Sequence, residues 1–550
     1  MAKRNNQFLK IICHPERCHS CENAEDQICA KQRYAEKSSK LVIIEATRGI
    51  IHFIDSKKKI PNDLPWKSSG WITVFIGKDY ANSLSNDQII DLYVIEPYVV
   101  IFTQKEQKKY FKAYPFLQTT LERALFEELS SRIEMQTCKL IERTTLDNKI
   151  KQIKNKVLTE ISEYVPEMTS DVRNRIALLI AHKSTVLEKM IPIILDEKVE
   201  EIFLDQPDSN IYFDHGEWGR CESFISVNKS DAKRIVTMIR AISNYHLDRT
   251  NPSLKSDIHF LGTNLRFSVA LPPLSSRGLN LEIRRARKIP FSVKDLILNG
   301  TLTKEAAIVL IIAMNLRYNI TITGAPGSGK TTLMNALDMT TPDIWRKVYI
   351  EDAIESRTIE GHHQIRIRVD PFDERSGILD KESEIVKTLH RSPDYLILGE
   401  IQTAEHTKAL FHAMAAGLRS IQTTHSRSAS NLITRWKNNH GVNLSNLALM
   451  DLIVTMDRPN PGKSFRFVSE IVEVKRKINS QGILVFAGLN TIYDNERGII
   501  ELANEESYFE QIMKLKSIEE IHKILEICQI NEDNSYLFRF LSSQIDRHQQ

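Results

Sequence analysis

Between Asn319 and Leu333 the chain reads Asn-Ile-Thr-Ile-Thr-Gly-Ala-Pro-Gly-Ser-Gly-Lys-Thr-Thr-Leu, and this stretch limits the possible folds more than any other. The β-branched residues Ile320 to Thr323 favour a strand. Glycines then force a turn, and Leu333-Met-Asn-Ala-Leu337 continues as a helix. Strand, glycine turn and helix in that order form the opening unit of a parallel α/β sheet. The turn has the form G-x-x-x-x-G-K-T at Gly324 to Thr331. Its glycines let consecutive backbone N–H groups converge on an anion, and the helix N-terminus adds partial positive charge. Gly324, Ala325, Pro326, Gly327, Ser328 and Gly329 make the cradle for a nucleotide's phosphates. Lys330 reaches the β- and γ-phosphates, and Thr331, followed by Thr332, offers a hydroxyl to Mg²⁺. The expected ligand is ATP or GTP, with ATP the reading carried forward.

Hydrolysis requires acidic strand ends that organise Mg²⁺ and the attacking water. Two follow the loop: Val348-Tyr-Ile-Glu351-Asp352 and Asp394-Tyr-Leu-Ile-Leu-Gly-Glu400. A third apolar strand ends in Thr423-Thr424-His425-Ser426. In an open α/β sheet all three ends lie at the edge where ligands bind. Alone, each would be read as a solvated strand end; after a phosphate loop the functional reading is preferred.

At 550 residues the chain exceeds one hydrophobic core, and length alone suggests about three to four domains. Residues 1–40 are polar and cysteine-rich and read as a small metal-stapled module or a flexible tail. Residues 41–150 read as an N-terminal α/β region, with strands at Leu41–Ile44, Trp71–Ile76 and Tyr93–Phe102. Residues 151–289 read as an upstream α/β domain ending in a basic linker, Glu282-Ile-Arg-Arg-Ala-Arg-Lys-Ile-Pro290. Residues 290–475 alternate strand and helix as a parallel-sheet α/β domain around the phosphate loop, and 476–550 read as a mostly helical extension.

Cys13, Cys18, Cys21 and Cys29 crowd one short segment as Cys-x4-Cys-x2-Cys-x7-Cys, which suits one structural Zn²⁺. An iron–sulfur cluster or no metal are the alternatives, and His14 or His19 can replace a cysteine. Seventy-four basic and 70 acidic side chains leave a net charge of +4, so bulk charge makes no case for direct nucleic-acid binding. The longest apolar run, Ala306 to Met314, falls far below the roughly 18 residues of a membrane span, and no secretory signal opens the chain. The expectation is a cytoplasmic protein with no transmembrane segment, associated with a membrane only through a partner.

Four elements in order, GAPGSGKTT at 324–332, IEDAIE at 350–355, RSPDYLILGEI at 391–401 and AAGLRSIQTTHS at 415–426, resemble the type II/type IV secretion and pilus ATPase superfamily. Within it the likeness is to archaeal type IV pilus, archaellum and secretion motors, over roughly residues 185–475. The resemblance implies a RecA-like P-loop NTPase motor domain behind an upstream α/β domain. It implies a homo-hexameric ring that turns ATP hydrolysis into domain motion and works against a multi-span membrane platform protein. It assigns Glu351 to water activation, Glu400 to Mg²⁺ or water organisation and His425 to γ-phosphate sensing. The motor portion offers no obvious second cation for the γ-phosphate, and Arg284 and Arg285 match a basic segment that acts as arginine fingers across an interface; a solvated hinge is the other reading. Three positions depart from the pattern: Gln402 stands where arginine is usual, His390 also replaces an arginine, and Leu418 replaces a histidine. These departures keep two other readings open, a low-turnover nucleotide switch and a DNA-translocating motor.

Overall fold

The apolar run Ala306–Met314 forms the body of a helix, Lys304–Asn315, in which every residue of that run is buried. A helix apolar on all sides belongs in a core, and here it packs with the helix Lys330–Asp338 against one face of a sheet. The Thr303 side chain caps it by accepting from the Ala306 N–H.

The structure is a computed structural model that describes residues 9–12, 41–54, 71–136, 145–243, 246–287, 290–352, 355–356, 358–369, 380–460, 462–463, 465–496 and 498–499. The chain divides into two compact units, Met1–Lys288 and Ile289–Gln550.

In the second unit nine strands form one sheet. Its spatial order is His363–Arg368, Arg346–Glu351, Tyr395–Glu400, Ser420–Thr423, Ile320–Gly324, Leu452–Asp457, Phe467–Ile478, Leu484–Asp494 and Gly498–Ile499. The first six are parallel and the last three continue antiparallel. The parallel strands are covered on both faces. Tyr395 and Ile397 join the core beneath the helix Lys304–Asn315, whereas Leu396 and Leu398 join the opposite core with the helix Ala404–Ala415. That two-sided burial is why these strands read as near-continuous apolar runs. Parallel pairing also carries Gly324, Glu351, Glu400 and Thr423 to one edge of the sheet.

The sheet runs past the boundary expected at 475, and the described residues after it are strand rather than helix. Val485, Ile492 and Tyr493 are buried in this antiparallel meander, and its pleat rather than a helical stripe selects them.

In the first unit a four-stranded sheet, Leu9–Ile12, Leu41–Glu45, Ile50–Ile54 and Trp71–Phe75, shares a buried core with one part of a nine-stranded sheet. The larger sheet joins Gln88–Ile95, Tyr98–Lys105 and Lys108–Pro115 to strands between Val199 and Arg285, so residues expected in separate domains share one sheet. The single strand expected at Tyr93–Phe102 is a hairpin turning at Glu96-Pro97, because proline cannot continue a ladder. Across the boundary expected at 150 runs a helix, Leu146–Tyr164, whose buried residues Ile150, Ile153, Val157 and Ile161 form one stripe. The expected linker also needs correction: Asn280–Arg285 is a strand paired on both sides, with Leu281, Ile283 and Arg285 inward. Among the described residues no helix is long and apolar enough to cross a membrane.

Candidate functional site

The phosphate loop is built on backbone conformations that only glycine adopts easily. Gly324, Gly327 and Gly329 have φ of 150°, 70° and 92°. A Cβ on Gly324 would also lie 2.6 Å from Ser328 Oγ, so the turn closes only without a side chain there. Gly329 sits left-handed immediately before the helix Lys330–Asp338, whose first N–H groups therefore face the loop. Ser328 Oγ is buried and has no hydrogen-bond partner among the described residues. A buried hydroxyl in that state, inside a cradle of N–H groups, suits a polyphosphate oxygen.

Lys330 is buried and its Nζ turns back onto the loop, 3.2 Å from Gly324 O and 3.0 Å from Ala325 O. The same Nζ lies 3.1 Å from His425 Nδ1. Nδ1 also lies 3.3 Å from Gly324 O, so this ring edge faces both an ammonium and a carbonyl of the loop. Nε2 faces Glu400 Oε1 in a close ion-pair contact. Burial alone would raise the Glu400 pKa; the hydrogen bond and charge of His425, with Gln402 and Lys330, outweigh it and bring the carboxyl down to about 2. Lys330, His425 and Glu400 thus form one continuous polar chain across three neighbouring parallel strands.

Glu351 ends the next strand, fully buried, but it is turned to a structural task. Its Oε1 accepts from Ser356 N at 2.8 Å and Glu355 N at 3.1 Å, and its Oε2 accepts from Ser356 Oγ at 2.5 Å. Burial pushes its pKa up, against the opposing effect of those Ser356 and Glu355 bonds. Beside it, Asp352 Oδ1 receives Lys381 Nζ at 2.8 Å, and that ammonium also donates to Glu400 O at 2.9 Å. Lys381 therefore ties the Glu351–Asp352 corner to the Gly-Glu strand.

A second tie lies on the other side. Arg435 opens a single π-helical turn, Arg435–Asn439, of a type often found at functional sites. Its Nη1 donates to His425 O at 2.8 Å and its Nη2 to Gln402 O at 2.6 Å, while Nε donates to His440 Nε2 at 3.2 Å. One guanidinium thus spans the backbones just beyond Glu400 and at His425. At Gln402, where the family pattern carries an arginine, a guanidinium arrives from Arg435 instead. His390 is exposed in a short 3-10 turn, and Leu418 packs on the apolar core.

The absence of a second cation near the loop does not hold. Arg458 Nη1 lies 3.0 Å from where a Cβ of Gly327 would be, and Arg466 Cδ lies 3.5 Å from that of Gly329. Sequence reasoning missed Lys381, Arg435, Arg458 and Arg466. Each reaches the site from tens of residues away in sequence, and nothing in its local pattern marks it.

Arg284 and Arg285 lie in the other unit, on opposite faces of their strand. Arg285 is 5% exposed, and its guanidinium donates to Ile194 O at 2.9 Å and Glu197 O at 3.3 Å. Arg284 has a half-exposed side chain, 3.8 Å from Glu201. Of the pair, only Arg284 presents its guanidinium to solvent. Cys13, Cys18, Cys21 and Cys29 lie outside the described residues. Among the described residues no cluster of three His, Cys, Asp or Glu is arranged to hold a metal ion.

A family profile described as Type II/IV secretion system protein matches residues 180–521, more than half of the chain. An uncharacterised protein of Methanocaldococcus jannaschii is 29% identical over 231 residues, 40% of this chain but only 31% of its own length. A probable conjugal transfer protein TrbB of Sinorhizobium fredii is 24% identical over 297 residues, 52% of this chain and 86% of that protein. Among solved structures, the Legionella pneumophila ATPase DotB is 14% identical with a TM-score of 0.38, covering 65% of this chain and 90% of that one.

Proposed function

The chain belongs to the type II/IV secretion system protein family, and on that premise we propose that it is an ATP-hydrolysing motor of a secretion or type IV pilus-like assembly system. The observation that carries this reading is the convergence of Lys330, His425 and Glu400 on the phosphate loop, at the ends of adjacent parallel strands.

In this reading the loop N–H groups and Lys330 bind the phosphates and offset charge on the transferring phosphoryl group. Glu400, whose carboxyl pKa is held at about 2 and which so stays ionised near neutral pH, orients the attacking water. His425 links that carboxylate to Lys330, so it senses whether the γ-phosphate is in place. The Thr331 hydroxyl and the Glu400 carboxylate would hold Mg²⁺, which would supply charge neutralisation to the phosphates when bound. The donor set fits it, a hydroxyl and an ionised carboxylate, both oxygen donors. Lys381 and Arg435 hold the strand ends that carry these groups.

The family pattern supports a homo-hexameric ring acting on a membrane platform protein, with Arg284 as the group a neighbouring subunit would receive. Glu351 favours a second reading, a nucleotide switch of low turnover. Its carboxylate is occupied by Ser356 and Glu355, so it must be released before it can activate water. Phosphate release by the whole protein with Mg²⁺ and ATP tests the proposal. Wild type is expected to turn over and Lys330→Ala to lose both ATP binding and turnover. ATP binding without turnover by the wild type would leave the switch reading in its place.

A further inference from the structure

Two arginines of the connection between Leu452–Asp457 and Phe467–Ile478 sit against the phosphate loop. Arg458 Nη1 is 3.0 Å from the Cβ position of Gly327, and Arg466 Cδ is 3.5 Å from that of Gly329. Both glycines have positive φ, so the faces that any other residue would fill with a side chain are taken by arginine. We propose that Arg458 and Arg466 bind the polyphosphate of a nucleoside di- or triphosphate in the same subunit. This rests on the nucleotide-binding reading above and adds to it the cations that the linker arginines were expected to supply.

Three observations support it. First, the connection is tied to the loop by the sheet itself. The strand Leu452–Asp457 runs parallel to Ile320–Gly324 with Met456 opposite Gly324, so Arg458 follows two residues beyond a fixed contact. Second, the guanidinium is oriented. Arg458 Nε donates to Lys463 O at 3.0 Å, which turns the Nη1 corner toward Gly327. The Arg458 N–H is in turn held by Asp457 Oδ1 at 2.7 Å, which fixes the backbone from which the side chain starts. Third, charge in the cradle calls for it. The Lys330 ammonium is shared among Gly324 O, Ala325 O and His425, while a bound di- or triphosphate brings several negative charges. Guanidinium matches phosphate oxygens with paired donors and keeps its charge at every relevant pH. On this account the glycines of the loop serve two ends, the approach of phosphate to backbone and the approach of arginine to phosphate.

The test is calorimetric titration of the full chain with ADP and with AMP, in EDTA so that protein cations alone are read. Arg458→Gln and Arg466→Gln are each expected to weaken ADP binding about tenfold or more and to leave AMP binding unchanged. The lysine variants should recover part of the loss, because ammonium keeps the charge without the fork. ADP affinity equal to wild type in both glutamine variants would overturn the proposal. So would equal losses for ADP and AMP, which would mark a structural role. Arginine modification of the wild type by phenylglyoxal, mapped by mass spectrometry, gives an answer that does not depend on how the variants fold. ADP is expected to protect Arg458 and Arg466 more than AMP does, and equal labelling with and without ADP would overturn the assignment. A wild type that binds no ADP would instead remove the nucleotide-binding reading, and this proposal with it.

Discussion

Replacing Arg435 by alanine should damage turnover far more than nucleotide binding. The guanidinium holds the carbonyls of Gln402 and His425 at 2.6 and 2.8 Å, and so fixes the spacing of the two strand ends that carry Glu400 and His425. Bonds from a charged donor are worth about 1.5–3 kcal/mol each when buried. Here Gln402 is exposed and water can replace part of the loss, so the fold should lose only about 1–2 kcal/mol. Catalysis is less forgiving: a shift of about 1 Å between reacting groups costs on the order of 10²-fold in rate. The expected result is a kcat lower by that order in R435A, with ATP affinity retained because Arg435 does not touch Lys330 or the phosphate loop. R435K, whose single ammonium reaches one carbonyl at a time, should fall between the two. Single-turnover phosphate release with saturating Mg-ATP, beside a binding titration, separates the effects. An R435A rate equal to wild type would refute the claim that this residue positions the pair, and a parallel loss of binding would show that it acts on the whole domain.

Arg285→Ala removes the donor from the buried Ile194 carbonyl and the part-buried Glu197 carbonyl and should cost about 2–3 kcal/mol in urea unfolding, whereas Arg284→Ala should cost less than about 1 kcal/mol; equal costs would contradict the inward and outward faces assigned to them. The Glu400 pKa is depressed from an ordinary 4.5 to about 2. Its contribution to stability is therefore complete above the ordinary value and lost as pH falls toward the lower one, so any advantage of wild type over E400Q in acid unfolding should shrink across that window, and a constant advantage would show that the carboxyl titrates normally. The four N-terminal cysteines are proposed to hold about one Zn²⁺; metal analysis of anaerobically purified protein that finds neither zinc nor iron would remove that site, and chelation should leave ATP binding intact.

The second unit was legible because its signals are local. Ile320–Thr323, the glycines and Lys330 each state a backbone conformation, and the parallel strands, buried on both faces, show as apolar runs. Pairing then brought Glu400 and His425 to the edge that holds the loop. The basic segment at 282–290 reads as a linker by its charge, whereas the alternation of Leu281, Ile283 and Arg285 marks the half-buried strand that the first of its residues form. What no local pattern could supply are the ties across the sheet, Lys381 to Asp352 and Glu400, Arg435 to Gln402 and His425, and Arg458 to the loop. These depend on which loops the topology places side by side. Glu351 illustrates the converse: its position at a strand end was foreseen, but its capture by Ser356 is a matter of side-chain geometry.

The central claim is that Glu400 serves hydrolysis rather than binding, and one paired measurement on E400Q tests it. Glutamine keeps the shape of the side chain and removes the charge that organises water and Mg²⁺. ATP affinity should therefore remain near wild type while steady phosphate release falls by about 10²-fold or more. E400Q protein that binds ATP and releases phosphate as fast as wild type would contradict the account.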